Sequence, residues 1–139
     1  MMPLHAAGRP MHDCLAEDTE KALLLEKLGY DELFIGEHYS AATEPYPAPL
    51  QFAASLLPRT ERLVFGTGVI NAPLHHPAMI AAEAAQFDHL SKGRFILGIG
   101  SAPSSAIRAW SLGSFSTVLI PALSLSMISV GVPFGTAMP

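Results

Sequence analysis

The sequence predicts an α/β fold built on a parallel sheet, and three observations predict it. Helical and strand-like segments alternate with short connections from Leu15 to Gly100. The strand segments are near-continuous apolar runs, which parallel strands covered on both faces require. Glycines stand where helices must stop, at Gly29 and Gly93.

The first helix is expected over Leu15 to Leu28, with Leu24, Leu25 and Leu28 as its apolar stripe and Glu17–Lys21 as an i,i+4 pair. Leu33 to His38 reads as a short buried strand. The loop Tyr39 to Pro49 carries three prolines, and Pro49 suits the first turn of a helix running to about Leu57. Pro58 and Arg59-Thr60-Glu61 end that helix and introduce a strand over Leu63 to Ile70. The turn Asn71 to His76 feeds a helix over Pro77 to Ser91, whose buried face is expected to be Met79 or Ile80, Ala84, Phe87 and Leu90. Arg94 to Gly100 is the next strand. No strand precedes the first helix, although the architecture wants one there.

At 139 residues the chain is one ordinary domain at most. Half its residues are apolar and 14% are charged, so the material for a core is ample. A net charge of −4, with the eight Lys and Arg scattered, excludes a nucleic-acid-binding stripe. The single Cys14 excludes an internal disulfide, suits a reducing cytoplasm, and is expected to be a small semi-buried apolar residue. The first ten residues lack the basic start and apolar run of a signal peptide. From about Ala102 the pattern changes, and no charged residue follows Arg108. Thr117 to Phe134 approaches the length of a membrane span, but Pro121, Gly131, Pro133 and four hydroxyl residues break it, so no membrane location is expected.

Alternation along a strand lets faces be compared. Phe34, Gly36 and His38 share one parity, as do Val64, Gly66, Gly68 and Ile70, and as do Ile96, Gly98 and Gly100. Each strand therefore brings glycine near its C-terminal end on one parity. If those faces line a common interior, a flat aromatic ligand can approach backbone there; the alternative is that glycine only relieves crowding. His38 ends its strand on the same parity and is a candidate acid, base or donor, with a hydrogen-bonded structural role as the alternative. Glu37, on the opposite face, is expected to support or pack rather than react. His75 and His76 lack ligand spacing for a metal; one is expected at a pocket mouth and the other in solvent. His89 suits the C-terminal end of its helix dipole, and His5 and His12 are expected in plain loop roles. No dinucleotide fingerprint, P-loop, GxSxG elbow or paired catalytic carboxylates appear.

Four separated segments occur together: Gly29 to Tyr39, Pro58 to Val69, Pro73 to Pro77, and Asp88 to Gly100. In that order they resemble the bacterial luciferase-like flavin monooxygenases, of the limonene- or alkanal-monooxygenase type, over roughly residues 3 to 101. The resemblance implies a (β/α)8 barrel, of which this chain holds roughly strands two to four with their helices. It also implies reduced flavin mononucleotide (FMN), or in sister groups a reduced deazaflavin. Dioxygen, a small organic substrate such as an aldehyde or terpene, a flavin reductase and oligomeric full-length members complete the implied set. By this resemblance His38 is the histidine beside the flavin. Thr67, Gly68 and Val69 lie under the flavin ring, where a non-proline cis peptide often occurs, and Gly98, Gly100 and Ser101 border it.

A barrel of this kind needs about 250 residues, and three strands without closure leave unpaired edges. Residues 1–101 are thus expected to be the N-terminal part of a luciferase-like barrel, and residues 102–139 an irregular apolar tail of possible frameshift origin. Such a chain is expected to be inactive alone and to have little or no flavin affinity. A non-catalytic half-barrel, or a subunit that pairs with another chain, is the alternative.

Overall fold

The computed structural model describes residues 4–39, 41–44 and 46–100, together with the backbone of residues 118–121. Its elements are α1 (Met11–Lys27), β1 (Glu32–Ile35), α2 (Pro49–Leu56), β2 (Val64–Thr67), β3 (Ile70–Asn71), α3 (Pro77–Ser91), β4 (Phe95–Gly100) and β5 (Val118–Pro121). Short 3-10 turns follow α2 at Leu57–Arg59 and precede α3 at Ala72–Leu74. Gly29 and Gly93 take positive φ values of 88° and 83°, the conformation that lets the chain leave α1 and α3 at little steric cost.

The strands β1 to β4 are parallel. β1 pairs with β2 from Glu32↔Val64 to Ile35↔Thr67. β2 and β3 lie end to end on one edge of β4, first as Phe65↔Phe95 and Gly66↔Ile96, then as Ile70↔Ile99 and Asn71↔Gly100. Between those pairs the register slips by one residue. β5 runs antiparallel to β4, from Ile96↔Pro121 to Ile99↔Val118. An α/β sheet with helices on one face, part of a (β/α)8 barrel, is the result. Residues Val118–Pro121 form a strand within the stretch expected to be irregular; the rest of 102–139 lies outside the described residues.

Odd-numbered strand residues Leu33, Ile35, Leu63, Phe65, Phe95 and Leu97 are buried against Ala22 of α1, Phe52, Ala53 and Leu56 of α2, and Ala84 and Phe87 of α3. Phe87 is the hub: its ring lies 4.9 Å from that of Phe95 and 6.3 Å from that of Phe65, edge-on in both cases. Each large side chain buried here contributes about 1.5–3 kcal/mol. At the N-terminal ends of the strands, Glu26 Oε1 accepts the N–H groups of Glu61, Arg62 and Leu63 at 2.6–3.0 Å. Arg94 donates to the carbonyl of Leu63 at 3.1 Å. These bonds tie α1 to the start of β2 and β2 to the start of β4.

Several expectations are corrected. α1 begins at Met11, and its buried line is Cys14, Asp18 and Ala22, while Leu24 and Leu28 are exposed. The face that meets α2 and the sheet is set by the direction in which the helix docks; Leu25 of the expected stripe packs against the core, and Leu24 and Leu28 lie beside it. On α3, Ile80 rather than Met79 packs against the core and Leu90 is exposed, whereas Asp88 and Ser91 join Ala84 and Phe87 in the interior. Ile70 was grouped with Gly66 and Gly68; the register slip turns it to the helix side, where it is part of the core. His5 is buried rather than a plain loop residue, bonded to Asp18 at 2.7 Å.

Candidate functional site

The sheet face turned away from the helices is stripped to small residues near its C-terminal end. A Cβ placed on Gly66 would collide with the ring of Phe34, and one on Gly68 would come within 3.2 Å of Phe34 Cβ. A Cβ on Gly36 would lie 2.7 Å from His38 Nε2 and 3.4 Å from the Gly68 carbonyl oxygen. Phe34, Gly36 and His38 of the first strand therefore share one surface with Gly66 and Gly68 of the second. Gly98 and Gly100 carry the same parity on β4, with Ile96 below them. The Phe34 ring lies against this glycine floor, closer to Gly66 than a Cβ there would allow.

His38 stands past the end of β1. Its backbone N–H donates to the Tyr46 carbonyl at 2.8 Å, and its Nε2 lies 2.8 Å from Glu44 Oε2. The His38 side chain is 37% exposed and that of Glu44 13%, so the imidazole is held yet reachable.

Thr67 sits at the register slip. Its hydroxyl donates to the Gly98 carbonyl at 2.9 Å and accepts the Gly98 N–H at 2.8 Å. A side chain thereby replaces ladder bonds that would otherwise leave two buried backbone groups unpaired. The hydroxyl proton of Thr67 is committed to β4 and the residue is buried, so the hydroxyl is not available to a ligand in this arrangement. The Gly68 N–H donates to the Ile35 carbonyl at 2.8 Å, and the Gly68–Val69 peptide is cis.

On the helix side of the same strand ends lies a second polar group. Glu37 is buried, its Oε2 accepts the Asn71 N–H at 2.8 Å, and its backbone carbonyl accepts Asn71 Nδ2 at 2.9 Å. Its Oε1 lies 2.8 Å from His75 Nε2 and accepts the Tyr39 hydroxyl at 3.1 Å. Burial, and then the adjacent Glu37 carboxylate, push the Tyr39 hydroxyl up to about 12. Asn71 Oδ1 is buried and has no hydrogen-bond partner among the described residues. Glu37, Tyr39 and His75 of this group line a cleft of about 410 Å³ between α2 and α3, together with Leu50, Ala54, Ile80 and Phe87. His75 is the histidine at a pocket mouth, and the pocket is this cleft rather than the glycine floor. His76 is exposed, and its Nδ1 accepts the Ala78 N–H at the start of α3.

Of the residues singled out from sequence, the structure brings His38, Gly68 and the glycine floor together and gives Thr67 to the sheet; Ser101 lies outside the described residues. Glu44, Asn71, Tyr46 and the His5–Asp18 pair carry no sequence signal that marked them, since each acts through an individual pairing that no sequence spacing records. Among the described residues, His5, Glu17 and Asp18 also bring one ligand atom each within 4.8 Å of one another. Their carboxylates already engage Arg9 and Lys21, with Lys21 Nζ 2.6 Å from Glu17 and 3.2 Å from Asp18. A metal ion there would have to displace two cations.

A family model for luciferase-like monooxygenases matches residues 2–116. The 4-hydroxyprotoasukamycin monooxygenase of Streptomyces nodosus subsp. asukaensis is 45% identical over 101 residues, which cover 73% of this chain and 27% of that protein. Limonene 1,2-monooxygenase of Rhodococcus erythropolis is 37% identical over 100 residues, covering 72% and 26%. Among solved structures, the oxygenating constituent of 3,6-diketocamphane monooxygenase from Pseudomonas putida, a type II Baeyer-Villiger monooxygenase in complex with FMN, superposes with a TM-score of 0.74. That match has 25% identity and covers 78% of this chain and 30% of that one. The chain thus spans about a quarter of the length of the curated relatives it matches.

Proposed function

The chain belongs to the luciferase-like monooxygenase family, and on that premise we propose that its glycine-floored sheet face is one wall of a flavin site. The protein it represents is a flavin-dependent monooxygenase acting on a small organic substrate with dioxygen. The observation that carries this reading is the joint placement of Gly36, Gly66 and Gly68 beside His38 and the Phe34 ring. Backbone without Cβ atoms lets a planar ring approach closely, and an imidazole at its margin supplies a group that can hold or move a proton.

Bound reduced flavin supplies the electrons that activate dioxygen. This chain's part is to receive the ring on Phe34 and the glycines, to keep β2 and β4 in register through Thr67, and to present the His38 imidazole. In the reading, Gly68, Val69, Gly98, Gly100 and Ser101 border the ring through their backbone, and Thr67 acts by positioning that backbone. FMN is favoured over a deazaflavin, because a structural neighbour is the FMN complex of a monooxygenase. That neighbour is named an oxygenating constituent; a separate reductase supplying reduced flavin is the matching partner, since each turnover consumes two electrons. No helix among the described residues is long and apolar enough to cross a membrane.

The test is a titration of the full chain with oxidised and reduced FMN, followed by backbone NMR. Shifts concentrated at Gly36, Gly66, Gly68 and Gly98, with a dissociation constant weaker than the low micromolar range, are expected, because the described residues furnish one wall. Absence of shifts at millimolar flavin, or shifts confined to the α2–α3 cleft, overturns the reading.

A further inference from the structure

The loop between β1 and α2 carries a carboxylate, Glu44, onto His38, and that contact rests on an unusual amount of buried support. An ion pair on an ordinary surface loop contributes little, because two long side chains must be ordered for it. Here both flanks of Glu44 are fastened. On one side, the Thr43 carbonyl accepts the His5 N–H at 2.9 Å. On the other, Tyr46 donates its N–H to the Glu44 carbonyl at 2.9 Å and accepts the His38 N–H at 2.8 Å.

Both fasteners meet at Asp18, whose side chain has no solvent exposure. Asp18 Oδ2 lies 2.7 Å from His5 Nε2 and accepts the Tyr46 hydroxyl at 2.6 Å, while Lys21 reaches Oδ1 at 3.2 Å. Burial works against the Asp18 carboxylate, but the bonds from Tyr46, His5 and Lys21 outweigh it and hold the group below its ordinary range. The Tyr46 ring is buried against Phe52, with centroids 5.0 Å apart. The latch thus joins α1, the N-terminal segment and the loop at one buried point.

We propose that Glu44 is the positioning residue of His38, and that the buried His5–Asp18–Tyr46 latch holds Glu44 in place. The proposal deepens the flavin-wall reading and rests on it for its link to turnover. A carboxylate has no proton to give, and an Nε2 lone pair 2.8 Å from Glu44 Oε2 would be repelled by it, so the proton of the His38–Glu44 ion-pair contact sits on Nε2. The ring is then fixed in one tautomer, and exchange of a proton with a bound partner falls to Nδ1.

The test is nitrogen-detected NMR of the His38 ring in the full chain and three variants. In the unaltered protein, Nε2 is expected to carry a proton that exchanges about tenfold more slowly than in a free imidazole, because the Glu44 carboxylate 2.8 Å away favours it there. Glu44→Ala is expected to give averaged tautomers and fast exchange. Glu44→Gln, whose amide oxygen still accepts, is expected to restore the fixed ring. Tyr46→Phe keeps the ring packed on Phe52 and removes only the bond to Asp18; it is expected to reproduce the Glu44→Ala signature with its circular dichroism unchanged.

An Nε2 without a protected proton in the unaltered chain overturns the proposal before any variant is made, so a variant that fails to fold does not shield it. Unchanged ring signals in Glu44→Ala overturn the positioning role, and unchanged signals in Tyr46→Phe overturn the latch. FMN titration of the same samples separates this proposal from the one above. A fixed His38 ring with no flavin-induced shifts leaves the Glu44 assignment standing and removes the flavin wall.

Discussion

The two faces of the sheet are built on opposite principles from adjacent residues of the same strands. On the helix side, Leu33, Ile35, Phe65, Phe95 and Leu97 fill the space to α2 and α3 with large side chains. One residue along, on the other face, stand Gly36, Gly66 and Gly98, with the ring of Phe34 lying where a Cβ on Gly66 would go. The first face generates stability by excluding water. The second replaces large side chains with glycine, which lets the Phe34 ring lie directly on the Gly66 and Gly68 backbone. Large apolar side chains and glycine are thus divided across one layer of backbone, and the polar side chains at the strand ends follow the same split. Glu37 turns to the helix side and ties β1 to Asn71 and His75, while its neighbour His38 turns to the glycine floor.

Three substitutions in β2 test this division. Phe65→Ala should cost the most, about 3–5 kcal/mol, by opening a cavity beside Phe87 and Phe95. Urea unfolding of the full chain measures it, and a loss below about 1 kcal/mol would mean that the helix-side face does not carry the fold. Thr67→Val removes both bonds to Gly98 and is expected to cost about 1–3 kcal/mol, with Thr67→Ser recovering most of it. Equal stability of the Val and Ser variants would show that the hydroxyl is not what spans the register slip.

The smallest expected effect on stability is that of Gly66→Ala. Its methyl group must displace the Phe34 ring, but a strand alanine regains about 0.5–1 kcal/mol of backbone entropy relative to glycine. The net change is expected to stay within about 1 kcal/mol, while the Phe34 ring resonances move and the flavin-induced shifts weaken. Loss of stability as large as that of Phe65→Ala would erase the distinction between the faces.

Much of this was legible in the sequence. Parity alone placed Phe34, Gly36 and His38 on one surface with Gly66 and Gly68, because strand alternation is strict while the ladder is regular. It failed at Ile70, one step past the slip, where the same rule counted a residue that the pairing skips. Helical faces were less legible. Leu24, Leu28, Met79 and Leu90 are apolar at helical spacing yet exposed, whereas Asp18, Asp88 and Ser91 are polar and buried. Periodicity marks a face but does not say which part of it the neighbouring element covers.

The sequence by itself determined the alternation of helix and strand, the glycine parity, the place of His38 and the family to which the chain belongs. All of these are local or nearly local patterns, recorded in spacing. The tertiary structure alone decided that Thr67 would serve the sheet, that His5 would be buried, and that Asp18 and Tyr46 would fasten a loop whose Glu44 meets His38. Those contacts are individual pairings, most of them between residues far apart in the chain, and they impose no repeat. A bond of that kind leaves no period in the sequence, and only the docking of α1 against the loop brings its two ends together.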